Sequence, residues 1–165
     1  MGILRGRAIG SYDGSLRAIV HAFKYDGRRS LASPLASLLE RCGSDVLDGA
    51  DLVVPVPLHR AKRRRRGFNQ AEDLARRLPL PMVHALERLR HTPSQTDLPA
   101  AARRANVQGA FGPAGRLQIR DAVVVLVDDV STTGATLDAC ARVLIGEGAR
   151  EVRALTAARV VTIAP

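Results

Sequence analysis

Tryptophan is absent from this 165-residue chain, and aromatic residues make up only 3% of it. A surface that binds bases chiefly by stacking needs more rings than that. No apolar run approaches the roughly 20 residues that cross a bilayer as a helix. The first ten residues, Met1 to Gly10, carry arginines but no apolar signal-peptide core, so a cytoplasmic location is expected. The two cysteines, Cys42 and Cys140, form no C-x-x-C pair. Each falls at a helix-periodic apolar position and reads as a small buried hydrophobe, not as half of a disulfide or a metal site. Lysine is as scarce as cysteine: Lys24 and Lys62 stand against 23 arginines among the 25 cationic residues. Two phosphate-binding signatures are also missing. There is no G-x-x-x-x-G-K-[ST] and no G-x-G-x-x-G after a strand, which argues against a P-loop nucleotide hydrolase and a dinucleotide site.

What is present suits one domain, residues 1–165, with a real core: 46% of the chain is apolar. The net charge of +9 favours polyanionic partners, either phosphorylated metabolites or nucleic acid. Periodicity predicts alternating strands and helices. Residues 7–12 read as a short edge strand. Leu16, Ile19, Val20 and Phe23 follow helical spacing, as do Leu35, Leu38, Leu39 and Cys42, with Gly43 at the C-terminal end of that second helix. Asp51 to Pro57 is a strand ending in prolines. A basic run from His59 to Arg66 follows, then a helix marked by Ala71, Leu74, Ala75 and Leu78, then a short strand at Leu80–Val83. Residues 86–117 read as irregular, polar and basic, the best place for an active-site loop or hood. Residues 122–128 form a continuous apolar strand, Leu137, Cys140, Ala141 and Leu144 the buried face of a helix, and Val152 to Val160 a last strand. The economical fold is α/β: an open, mostly parallel sheet flanked by helices. In such sheets ligands bind beyond the carboxyl ends of the strands.

The apolar strand ends in Asp128-Asp129-Val130, followed by Ser131-Thr132-Thr133-Gly134-Ala135-Thr136 at the start of a helix. Backbone N–H groups and threonine hydroxyls at a helix N-terminus favour a phosphate. Two carboxylates just before them can accept hydrogen bonds from a diol. Phosphate on one side and diol on the other describe a ribose 5-phosphate. An ordinary helix cap needs one Ser, Thr or Asp, not two acids and three threonines.

This stretch resembles the signature of type I phosphoribosyltransferases. Val56-Pro57-Leu58-His59-Arg60, the basic residues after it and Arg66-Gly67-Phe68-Asn69-Gln70 narrow the resemblance to the ComF (competence protein F) family. So does the segment holding Arg88, Arg90, Thr92, Gln95, Leu98, Arg103, Asn106 and Phe111. The resemblance runs from about Tyr12 to about Val160. It implies a type I phosphoribosyltransferase fold with a small hood or flexible loop over about 86–117. It implies that Asp128 and Asp129 hold the ribose hydroxyls of phosphoribosyl pyrophosphate (PRPP), and that Ser131 to Thr136 wrap its 5-phosphate. The loop Leu58-His59-Arg60 would lie beside the pyrophosphate, with His59 either its neighbour or a solvated loop histidine. Arg66 would be a ligand residue, and Arg88, Arg90, Gln95 and Arg103 either ligand contacts or loop structure. The remaining arginines of the run read as a solvated helix face, a general anion patch, or a surface for single-stranded DNA or a partner.

The reaction the resemblance implies is displacement of pyrophosphate from ribose C1 by a nitrogen nucleophile, with Mg²⁺ held mainly through PRPP. The alternative is a non-catalytic PRPP or nucleotide sensor. Either implies a link to DNA uptake or nucleotide metabolism, with single-stranded DNA and competence proteins as further partners; a homodimer is compatible with both. Some purine-salvage members carry an acid at the position of Thr132, so a threonine there argues against a base-protonating role. Family members usually have an N-terminal cysteine-rich zinc module, and residues 1–165 contain none.

Overall fold

The computed structural model describes residues 3–90, 109–115 and 119–161. In chain order the elements are β1 (Arg5–Ser11), α1 (Gly14–Tyr25), a 3₁₀ turn at Arg29–Leu31, α2 (Ala32–Cys42), α3 (Ser44–Leu47) and β2 (Leu52–Pro55). Then come α4 (Arg60–Arg66), α5 (Gln70–Ala75), β3 (Leu86–Arg88), β4 (Phe111–Pro113), β5 (Val123–Ser131), α6 (Ala135–Gly146) and β6 (Glu151–Arg159). The main sheet has the order β1-β6-β5-β2 and every pairing in it is parallel. The short strand expected at Leu80–Val83 is a single parallel bridge, Met82 beside Val53, on the free edge of β2. This is the type I phosphoribosyltransferase arrangement, with helices on both faces.

Side chains alternate across the sheet, so the apolar strands feed two cores. Val54, Val124, Leu126, Val152 and Ala154 pack with Leu137, Cys140, Ala141 and Leu144 of α6. Val53, Val125, Val127, Leu155 and Ala157 pack on the other face with Val20 and Phe23 of α1, Leu35 and Leu39 of α2, and Leu74 of α5. After β2 the chain moves outward to Met82; after β5 it moves the opposite way to β6. The strand order therefore reverses between β2 and β5, and a crevice opens beyond their carboxyl ends.

Several expectations are corrected. Cys42 is exposed, whereas Cys140 is buried. The buried stripe of α2 runs Ala32, Leu35, Ala36, Leu39 and then Gly43, so Cys42 falls on the outer flank. Gly43 packs so tightly that a Cβ there would collide with Leu155. The segment expected to be irregular holds a small antiparallel sheet, β3 with β4. Three-residue strands are too short to show alternation. The basic run is helical as α4, and α3 is too short to carry a periodic signal.

Candidate functional site

β5 continues past Val127, the end of the apolar run, to Ser131, so Asp128 pairs in register with Thr156 and Ser131 with Arg159. The acid pair thus sits on the strand itself, and alternation sends the two carboxylates to opposite faces. Asp129 turns toward α1, where the Lys24 ammonium lies 3.0 Å from Oδ2 and 3.3 Å from Oδ1. Asp128 feels the charge of Arg88, and its own charge helps push the Cys140 thiol up. Each carboxylate also accepts a nearby backbone N–H: Asp128 Oδ1 from Asp129 at 2.8 Å, and Asp129 Oδ1 from Val130 at 2.7 Å. Burial, with the adjacent Asp129 charge, pushes the Asp128 carboxyl up to about 7. Burial alone would pull the Lys24 ammonium down. The charge and hydrogen bond of Asp129, helped by Asp128, outweigh that and hold it above the usual lysine value.

The turn after β5 ends at Gly134, whose φ of +76° is left-handed and favours glycine. A Cβ there would meet no protein atom within 4 Å, so backbone conformation, not crowding by the protein, requires the glycine. From that turn α6 runs for 12 residues, its first N–H groups facing the crevice without intrahelical partners of their own. Thr133 Oγ1 accepts from the Ala135 N–H at 3.4 Å. Asp128, Ser131, Thr132, Gly134, Ala135 and Thr136 line a small recess there, and Thr133 borders the same loop from behind.

The opposite wall is basic. A cavity of about 330 Å³ is lined by Asp128, Asp129, Thr132 and Thr136 on one side and by Leu58, Lys62, Arg66 and Arg88 on the other, with Lys24, Tyr12, Tyr25, Asn69 and Gln70 between. Arg66 stands over the Tyr25 ring at 5.1 Å and Arg88 over Phe111 at 5.2 Å. Burial pulls the Lys62 ammonium below its usual value, and the charges of Arg88, Arg66, Lys24 and Arg65 push the same way. The Nε of Arg66 is buried with no hydrogen-bond partner among the described residues. A buried donor in that position calls for an anion.

The segment Arg66 to Gln70 builds this wall residue by residue. Gly67, at φ +78°, ends α4 in the left-handed conformation. Phe68 is buried, its ring 5.7 Å from that of Phe23. Asn69 caps α5 by accepting the Ala71 N–H at 3.2 Å and donates to the Val56 carbonyl at 3.1 Å, which fixes the loop leaving β2. Gln70, 2% exposed, accepts from Arg66 at 3.4 Å and donates to the Lys24 carbonyl at 3.3 Å.

The comparisons with known proteins speak to the family and the fold. Residues 64–160 match the phosphoribosyl transferase domain family. Over 162 residues the chain is 33% identical to competence protein F of Haemophilus influenzae, covering 92% of this chain and 71% of that one. This chain belongs to the phosphoribosyl transferase domain family, in its ComF branch. It is also 32% identical over 155 residues to DNA utilization protein YhgH of Escherichia coli (strain K12), covering 88% of this chain and 67% of that one. Competence protein ComFC of Bacillus subtilis is 29% identical over 145 residues, 87% of this chain and 59% of the relative. Among solved structures, one described as the allosteric regulatory enzyme of purine biosynthesis aligns with a TM-score of 0.52 and 21% identity, over 83% of this chain and 30% of that one. That likeness speaks to the fold.

In this ComF-family chain the cavity gathers Asp128, Asp129, Thr132, Thr136, Leu58, Arg66 and Arg88. His59 and Arg60 lie at the start of α4 outside its lining; His59 Nδ1 accepts the Ala61 N–H at 3.2 Å, so it caps that helix. Arg90 donates to the Gly109 carbonyl at 3.3 Å, one step beyond the β3–β4 pairing. Gln95 and Arg103 fall outside the described residues, as does most of the expected hood segment, 86–117. Lys24, Lys62, Tyr12, Tyr25, Asn69 and Gln70 also line the cavity, and sequence reasoning assigns none of them to the site. A signal for four of them is in the composition. Both lysines and both tyrosines of the chain lie on this one cavity.

Proposed function

We propose that the crevice binds PRPP, with Asp128 and Asp129 at the ribose, the turn from Ser131 to Thr136 at the 5-phosphate, and Lys62, Arg66 and Arg88 at the diphosphate. The observation that carries this reading is the juxtaposition of an acid pair and a phosphate-favouring turn with a basic wall across one cavity, where the buried Nε of Arg66 has no hydrogen-bond partner among the described residues. Displacing diphosphate from ribose C1 builds positive charge on the sugar and added negative charge on the leaving group. The acid pair suits the first and the basic wall the second. The group transferred is a 5-phosphoribosyl unit, and its acceptor is a nitrogen nucleophile. Among the described residues no group of three or more His, Cys, Asp or Glu converges. Mg²⁺, held mainly through PRPP, would neutralise leaving-group charge. Titration calorimetry with PRPP and Mg²⁺ tests the binding: wild type binds, and Asp128→Asn with Asp129→Asn does not. Unchanged binding in that double variant overturns the reading. Diphosphate release with a panel of nucleobases distinguishes a transferase from a sensor.

A second reading rests on the outer face of α4. Arg64 and Arg65 are exposed and make no ion pair among the described residues, whereas Arg63 pairs with Glu72 at 3.5 Å. An unpaired basic helix beside a sugar-phosphate cavity suits a single-stranded DNA backbone, consistent with relatives named for competence and DNA utilization. On this reading the chain acts in DNA uptake or use. Arg64→Ala/Arg65→Ala is expected to weaken binding of a single-stranded oligonucleotide and to flatten its salt dependence by about 0.7 in slope for each phosphate no longer neutralised. An unaltered slope removes this face from consideration.

A further inference from the structure

Asp128 and Asp129 are adjacent and both line the cavity, but their surroundings differ. Both oxygens of Asp129 are engaged. Its Oδ1 accepts from the Val130 N–H and from Lys24, and its Oδ2 receives Lys24 at 3.0 Å. The pair is well shielded, with side-chain exposures of 20% for Lys24 and 11% for Asp129. Lys24 is itself held at both ends. Its backbone sits in the last turn of α1, where a cation is favoured, and its carbonyl accepts from buried Gln70. Asp128 has one oxygen bonded, to the Asp129 N–H, and its second oxygen has no hydrogen-bond partner among the described residues.

We propose that the two acids divide the work: Lys24 ties Asp129 down as the fixed member, and Asp128 alone presents a free oxygen to the vicinal hydroxyls of a sugar phosphate. The inference rests on the reading of the cavity as a sugar-phosphate site and deepens it, making Lys24 a positioning residue. Its logic is that of a shielded ion pair. Removing one partner leaves an uncompensated charge that disturbs its neighbours, while removing both leaves little behind. Without Lys24, the Asp129 charge bears on Asp128 and on any incoming phosphate. Without Asp129, the ammonium is free to turn to Asp128 and cover the oxygen the sugar needs. Lys24 is one of only two lysines in a chain of 23 arginines. A compact ammonium fits between one carboxylate and a sugar, where a planar guanidinium would span both acids.

The test is calorimetry without added metal, comparing ribose 5-phosphate with 2-deoxyribose 5-phosphate. At pH 8, where Asp128 is ionised, wild type is expected to prefer the ribose form by about tenfold or more, the discrimination that a hydrogen bond to a charged group supplies. Asp128→Asn removes the preference. Lys24→Met and Asp129→Asn each lower it by about fivefold or more, and Lys24→Met/Asp129→Asn restores it to within about twofold of wild type. Lys24→Arg leaves a reduced preference. A double variant as poor as Asp129→Asn overturns the proposal, because Asp129 then holds a hydroxyl itself. So does Lys24→Met with a wild-type preference. The double variant keeps the test decisive even where a single variant fails to fold. Wild type that binds neither sugar phosphate overturns the reading of the cavity itself, a failure distinct from an unrescued double variant.

Discussion

The side-chain amide of Gln70 donates to the main-chain carbonyl of Lys24 at 3.3 Å, and this one bond joins α5 to the end of α1 beneath the cavity. Its other end receives Arg66. Arg66 of the basic wall and the lysine beside the acid pair therefore share one buried side chain. Gln70→Leu matches the volume but offers neither donor nor acceptor. It is expected to destabilise the fold by about 1–3 kcal/mol, the cost of buried groups left unpaired, and to weaken anion binding in the cavity. Denaturant unfolding and phosphate titration read the two effects.

Asp128 sets a pH dependence. Its carboxyl is raised to about 7 by burial and the Asp129 charge, against 3.8 for an unperturbed carboxyl. The folded state therefore holds this proton more tightly than the unfolded state. The resulting destabilisation is absent below about pH 4, grows as pH rises toward 7, and is complete above it. Asp128→Asn removes the ionisation. Its stability relative to wild type is expected to rise across that window, by up to about 4 kcal/mol. Thermal unfolding at pH 4 and pH 8 checks it, and an equal difference at both pH values counts against it.

Two glycines separate crowding from flexibility. At Gly43 a Cβ meets Leu155 and the Leu39 carbonyl at impossible distances, so Gly43→Ala is expected to cost about 1–3 kcal/mol. At Gly146, the last residue of α6, a Cβ meets nothing within 4 Å. Gly146→Ala is expected to stabilise by about 0.4–1 kcal/mol by restricting the unfolded chain. Chemical denaturation of the two variants reads opposite signs.

The cysteines respond differently to a thiol reagent. Cys42 is exposed, while Cys140 lies in the core with its thiol pushed up by burial and by the Asp128 charge. One equivalent of thiol is expected to react in the native protein and a second only on unfolding. Two rapid equivalents would contradict the packing of α6 on the sheet.

The parts of this protein legible in the sequence are those written in local pattern. The run from Val123 to Val127 announces a strand buried on both faces, and Asp128 to Thr136 announces its own chemistry. Leu137, Cys140, Ala141 and Leu144 mark their helix face, which is buried as the spacing requires. What escaped depends on contacts across the chain. Cys42 and Gly43 are neighbours with opposite fates because Leu155, more than a hundred residues away, decides which of them faces the sheet. Lys24 reaches Asp129 across 105 positions, and neither local spacing nor charge pattern signals that meeting. His59 has a local partner, the Ala61 N–H, but a histidine accepting a backbone proton at a helix start leaves no pattern that distinguishes it from a ligand.

Because both lysines open onto the same cavity, the protein carries two side-chain amines and keeps both at one address. Of the two lysines, an amine-selective acylating reagent is expected to mark Lys62 before Lys24, since burial and cationic neighbours favour the reactive neutral form of Lys62 while carboxylate partners hold the proton on Lys24. An isotope label placed in lysine would report two signals, one from the basic wall and one from beside Asp129. The scarcity of a residue type thus turns the cavity into a self-labelled compartment, visible from the inside without any mutation.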